Sequence, residues 1–178
     1  TADQQAAWVR PLLRADAVAC QLFSEPDAGS DLANVRTRAE PDGRGWRITG
    51  QKVWTTYAHV ADVGVLLART CEAADRHDGL SMFVVDMRAP GVEIRPIHQI
   101  DGARLFDEVY FDDVRIDPAA LVPPEGGGWR LAVQLMHQQR IARLARSTQV
   151  FGQVIELEEH ALRRAAAHVG GGDAELGF

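Results

Sequence analysis

The sequence predicts an α+β fold in which an antiparallel β-barrel or sandwich is followed by a long α-helix. Between residues 17 and 116, seven short runs rich in Val, Ile, Phe, Trp and Thr alternate with turn residues. No helical pattern separates the runs, so the strands must pair by hairpins and short connections and not by helical crossovers. After Gly128 the apolar residues change to helical spacing.

The elements follow in order. Asp3 to Arg14 has a rough helical face in Ala6, Ala7, Val9, Leu12 and Leu13, with Asp3 as the expected cap and an interruption at Pro11. The strand runs are AVACQLF, VRTRAE, WRITGQKVWTTY, VGVLLART, LSMFVVDM, VEIRPI and EVYFDDVRI. Asp42-Gly43, Asp78-Gly79 and Pro90-Gly91 supply turns between some of them. PPEGGGWRL ends the strand pattern, and Leu131, Leu135, Leu144, Val150, Val154, Leu157 and Leu162 then predict one or two helices. GGGDAELGF has the composition of a flexible end. A barrel followed by one amphipathic helix leaves an apolar face uncovered, which suggests a slice of a larger protein.

Composition restricts the function. A net charge of −6 without a basic stripe argues against a nucleic-acid partner. No apolar run reaches the roughly 18 residues of a membrane span. Cys20 and Cys71 fit neither a disulfide framework nor a zinc site, and read as reduced thiols of a cytoplasmic protein. The six histidines do not fall at metal-ligand spacing.

Three stretches carry chemistry. In CQLFSEPDAGSD, Ser24 and Ser30 offer hydroxyls, Pro26 stiffens the path, and Gly29 allows a positive φ or close approach of a ligand. Clustered amides there suit a phosphate or a heterocycle edge, although the same residues also build ordinary turns closed by their own side chains. In KVWTTY, strand periodicity sends Trp54 and Thr56 to one face, either to flank a planar ring or to fill the core. Trp46 and Trp129 are expected in the core or at an interface. On the helix, Arg140 and Arg143 at i and i+3 could meet a phosphate or carboxylate, or form a solvated basic face.

Together these stretches resemble the acyl-CoA dehydrogenase family. LFSEPDAGSD is similar to one of its signatures, with Asp27 where the family usually has Gly, and TGQKVWTT is similar to a second. ADVGVLLART, GLSMFVVDM, PGVEIRPI, FDEVYFDDVRI and GGGWRLAV follow in family order. The resemblance implies a β-barrel middle domain at 16–124. Residues 1–15 would then end an N-terminal helical domain, and 125–178 would begin a truncated C-terminal one.

It also implies FAD as cofactor. Phe23, Ser24, Gly29 and Ser30 would lie against the flavin, Trp54 would pack on the isoalloxazine, and Thr55 and Thr56 would follow along its edge, Thr56 near N5. Ser30, His137 and Arg140 would contact the acyl-CoA substrate, although His137 stands where relatives often have Asp. The implied reaction is α,β-dehydrogenation of an acyl-CoA thioester, with electrons passed to an electron-transferring flavoprotein by a homo- or hetero-oligomer. No residue of this chain is assigned as the catalytic base. A minority of the family places it one residue before the helix Arg, and here that position is Gln139, an amide that cannot take a proton. The alternatives are a non-catalytic partner subunit of a heteromeric dehydrogenase, or an oxygen-using flavoenzyme of the same fold. The chain alone is expected to bind FAD weakly and to be inactive.

Overall fold

The computed structural model describes residues 1–73 and 75–147. It opens with a short helical segment formed by α1 (Ala2–Gln4), a π-helical turn (Gln5–Val9) and α2 (Arg10–Leu13). Its cap is Thr1 and not Asp3. The Thr1 hydroxyl accepts from the Gln4 N–H, and the Gln4 side chain closes a capping box. The segment runs through Pro11, because the wider π turn before it loosens the i→i−4 ladder that a proline would otherwise break.

All seven expected strands form: β1 (Ala19–Leu22), β2 (Arg38–Pro41), β3 (Trp46–Thr56), β4 (Val63–Arg69), β5 (Leu80–Asp86), β6 (Val92–Ile97) and β7 (Phe106–Ile116). A further strand of two residues, β8 (Leu121–Val122), pairs with β5; it is too short to show any periodicity. The eight strands make one sheet, ordered β6-β7-β3-β2-β4-β5-β8, with β1 on β4. Most pairings are antiparallel, as hairpin connections require. Two are parallel: β1 runs beside Val63–Leu66 of β4, and β2 meets β4 at Arg38 and Arg69. The connection 23–37 crosses between them, so β1 and β2 share one edge of β4.

The core is apolar, built on Leu22, Ile48, Leu66, Phe83, Val85, Val109 and Val114. Trp46 belongs to it, edge-on to Phe83 with centroids 5.3 Å apart. Cys20 is buried there, and burial pushes its thiol up to about 12, whereas Cys71 is exposed. At Gly50 a Cβ would meet Thr37 Oγ1 at 2.5 Å and its Cα at 2.7 Å, so β3 and the segment entering β2 approach this closely only with glycine there.

Beyond β8, α3 (Gly128–Ser147) begins against the start of β5: the Gly126 N–H donates to Ser81 Oγ, and Trp129 lies on His77 with ring centroids 4.6 Å apart. Thr1–Leu135 form one compact unit, and a second begins at Met136. Val150, Val154, Leu157, Leu162 and the terminal GGGDAELGF lie outside the described residues. No helix among the described residues is long and apolar enough to cross a membrane.

Candidate functional site

The two polar motifs are joined through the backbone and through a buried ion pair. The Val53 N–H donates to the Ser24 carbonyl at 2.9 Å, which places the SEPDAGSD loop against the strand residue preceding Trp54. Lys52 lies beneath this junction with 0% of its surface exposed. Its Nζ donates to the carbonyls of Phe23 (3.0 Å) and Leu67 (2.7 Å) and to Glu25 Oε1 (2.8 Å). Glu25 also accepts from the N–H groups of Arg36 (2.6 Å) and Thr37 (2.9 Å), so one carboxylate closes both ends of the loop.

Each partner is shifted by its surroundings. Desolvation pulls Lys52 down to about 8, opposed by the charge of Glu25 and its hydrogen bond. For Glu25, burial acts upward, but the charge of Lys52 and hydrogen bonds from Lys52, Thr37 and Arg36 outweigh it and hold the carboxyl below its ordinary range. A carboxyl depressed in the fold contributes stability above its unfolded value of 4.5, and loses that contribution as pH falls through the folded value. Glu25→Gln should therefore flatten the acid limb of the stability profile by up to one proton. Urea unfolding at several pH values below 5 measures this (~1.4 kcal/mol per pH unit at most), and an unchanged slope would remove Glu25 from acid unfolding.

Past Lys52 the strand changes phase. Lys52 pairs with Val109 and Thr55 with Asp107, so Val53 and Trp54 together face the single residue Glu108, a β-bulge. Trp54 takes φ 59° and is 59% exposed, edge-on to Phe106. A large aromatic in the left-handed region, turned to solvent from a packed sheet, is the sort of strained feature that accompanies a binding site. Thr56 is exposed as well, so the expected shared face of Trp54 and Thr56 is present. Tyr57 is also left-handed, at φ 55°, and begins the turn into His59. There Asp107, fully buried, accepts from the His59 N–H at 3.1 Å and contacts its Nδ1 at 2.8 Å.

The other expected residues are placed as follows. Phe23 is buried and Ser24 half-buried, whereas Gly29 and Ser30 are exposed. Gly29 is not at positive φ, so that part of the expectation is corrected; the space where its Cβ would stand is open for 4 Å, which leaves room for a ligand near the backbone. Thr55 points inward, 2% exposed, and its Oγ1 has no hydrogen-bond partner. Removing that orphan, Thr55→Val should stabilise the chain by about 1 kcal/mol; a lower melting temperature would show that the hydroxyl is satisfied. His137 and Arg140 stand three residues apart on α3, both exposed, within the second unit.

The acyl-CoA dehydrogenase middle-domain profile matches residues 20–114, more than half of the chain, from β1 to near the end of β7. The chain belongs to the acyl-CoA dehydrogenase family. This middle-domain match contains the SEPDAGSD loop, the Lys52–Glu25 pair and the Trp54 bulge. Acyl-CoA dehydrogenase IpdE1 of Mycobacterium tuberculosis is 47% identical over 149 residues, 83% of this chain and 39% of that protein. The ChsE4–ChsE5 complex from the same organism superposes with a TM-score of 0.71 at 34% identity, covering 77% of this chain and 36% of that one. A Mycobacterium smegmatis glutaryl-CoA dehydrogenase in complex with FADH2 has a TM-score of 0.62 at 35% identity, over 69% and 31% of the two chains. This chain thus spans less than half the length of these acyl-CoA dehydrogenases.

Sequence reasoning passed over Lys52, Glu25, His59 and Asp107. Lys52 had a signal: two residues apart along β3, it follows Trp46, Ile48 and Gly50 on the inward face, where an unpaired lysine would not be tolerated. Glu25, lying inside an already polar loop, had none.

Proposed function

We propose that this chain forms the flavin-facing part of an enzyme that oxidises an acyl-CoA thioester between its α and β carbons. The observation that supports this best is the exposed, left-handed Trp54, held beside the Ser24 carbonyl by the Val53 hydrogen bond. The residues present fit a flavin: an aromatic face open to solvent, the Thr56 hydroxyl on the same side, and a loop with Ser24, Ser30 and open space at Gly29.

In this reading Phe23, Ser24, Gly29, Ser30, Trp54, Thr55 and Thr56 hold FAD, which when bound accepts the β hydrogen as hydride while a carboxylate base takes the α proton. Trp54 orients the ring and excludes water from one of its faces. Ser24 and Thr56 give hydrogen bonds at its edge, where such donors stabilise charge gathered on reduction. Thr55, with its side chain turned inward, contributes through its backbone. Ser30, His137 and Arg140 bind the acyl-CoA, and Gln139 cannot act as the base because an amide takes no proton at neutral pH.

The expected electron acceptor is an electron-transferring flavoprotein, and the reduced thiols of Cys20 and Cys71 suit the cytoplasm. A second reading, a subunit pairing with an unlike chain, is favoured by the likeness to the ChsE4–ChsE5 complex.

FAD titration followed by flavin fluorescence, then anaerobic addition of acyl-CoA esters, tests both readings. The 178-residue chain alone should bind FAD weakly and turn over nothing. In the protein made from the whole gene, bleaching of the flavin by an acyl-CoA supports the dehydrogenase. Tight FAD binding without bleaching until an unlike subunit is added supports the partner reading, and absence of FAD binding in that protein overturns both.

A further inference from the structure

The segment that carries Trp54 and Thr56 is held in a strained conformation between two buried carboxylates. Trp54 (φ 59°) and Tyr57 (φ 55°) both occupy the left-handed region, which side chains of their size rarely adopt. Two such residues so close together persist only where the surroundings over-determine the backbone. Upstream, Lys52 is paired with Glu25 and the Val53 N–H is bonded to the Ser24 carbonyl. Downstream, the Tyr57 N–H donates to the Leu105 carbonyl at 2.9 Å. The chain then enters a 3-10 turn, Ala58–Val60, which Tyr57 precedes without a side-chain cap.

Asp107 supplies the tie that this turn lacks. It stands opposite Thr55 in the β3–β7 register and is 0% exposed. Its Oδ2 accepts from the His59 N–H at 3.1 Å, and His59 Nδ1 lies 3.1 and 2.8 Å from its two oxygens. An ionised carboxylate can only accept, so it fixes the proton on Nδ1 and with it the orientation of the ring. Among the described residues, His59 provides every bond that the Asp107 side chain accepts, and no Lys or Arg forms an ion pair with it. Burying a carboxylate is costly, and apolar side chains would pack there without that cost. What the charge adds is a rigid link between β7 and the turn that follows Thr56.

We propose that Asp107, acting through His59, is a positioning residue of the flavin site: it keeps Trp54 to Tyr57 in their strained form, so that Trp54 and Thr56 face outward before any ligand arrives. Preorganisation of this kind strengthens binding, because the segment is already ordered when the ligand meets it. The inference rests on the flavin reading of Trp54, but the positioning itself can be measured without a flavin.

The test uses Asp107→Asn, which keeps the shape and removes the charge. In the flavin-free 178-residue chain, amide hydrogen exchange followed by NMR should quicken about tenfold or more at Val53 and Tyr57, with the amides of β4 and β5 unchanged. Those two N–H groups are bonded to Ser24 and Leu105 and not to Asp107, so they report on the segment and not on the lost contact. In the protein made from the whole gene, the same variant should bind FAD about tenfold more weakly, the loss expected for one charge-assisted hydrogen bond. His59→Ala should weaken FAD binding as much, and His59→Gln, whose amide can still donate to Asp107, should restore part of it. If Asp107→Asn does not fold, the two His59 variants give the same comparison. Faster exchange throughout the sheet would make the pair an ordinary structural contact and overturn the proposal, as would unchanged exchange at Val53 and Tyr57. FAD affinity indifferent to Asp107 and His59 would overturn it while leaving the flavin reading standing. A wild-type protein that binds no FAD would overturn the flavin reading and this inference together.

Discussion

Replacing Lys52 by Met should destabilise the chain by about 3–5 kcal/mol, the usual cost of removing one partner from a buried ion pair. That is a large part of the roughly 5–15 kcal/mol that holds a domain together. The loss has three sources. The Phe23 and Leu67 carbonyls lose a donor, Glu25 keeps its charge without a counter-ion, and the link between β1, β3 and β4 is cut. The hydrogen bonds that Glu25 receives from Arg36 and Thr37 survive and moderate the damage.

Two readouts separate this mechanism from a simple packing defect. Without Lys52, the carboxyl of Glu25 should rise toward or above its unfolded value of 4.5, so the acid limb of the variant's stability profile should flatten and its deficit against the wild type should shrink as pH falls below 5. Adding Glu25→Gln to Lys52→Met should recover part of the stability, because the amide needs no counter-ion. A double variant less stable than the sum of the two single ones, measured by urea denaturation, would contradict the pairing.

Trp54→Gly is expected to have the opposite profile, with little change in stability and a large loss of flavin affinity. Relief of the left-handed conformation favours glycine by about 1 kcal/mol. Loss of the edge contact with Phe106 costs about 0.5–1.5 kcal/mol, which nearly offsets it. Stacking of a planar heterocycle on an aromatic side chain is worth about 1–3 kcal/mol, so FAD should bind about 5- to 150-fold more weakly. Flavin fluorescence titration in parallel with thermal unfolding gives both numbers. A variant that unfolds tens of degrees lower while keeping its flavin affinity would make Trp54 a structural residue and would count against the proposed function.

The strands show what could be read before folding. All seven runs marked by β-branched and aromatic residues became strands, because that signal is local and each run is bounded by residues that turn the chain. β8 was missed because two residues have no period, and the Thr1 cap because Asp3 looked equally suitable. Both motifs around the candidate site were visible, the loop as a cluster of Ser, Asp and Gly at a strand end and the strand by its Trp and Thr two residues apart. What joins them was not, because the partners of Lys52 lie just past the end of β1, in the loop that follows and on β4, and their distances are set only when the sheet closes over them.

The sequence by itself determined the strand runs, the change to helix at Gly128, and which residues carry polar chemistry; these depend on neighbours in the chain. The tertiary structure decided the parallel placement of β1 and β2 on β4, the Lys52–Glu25 pair and the direction of Trp54. Strict alternation along β3 would have put Trp54 on the inward face with Ile48 and Lys52. One extra residue accommodated against Glu108 of β7 reverses that phase, and whether a bulge forms depends on the pairing of two strands, which no local period in either of them contains.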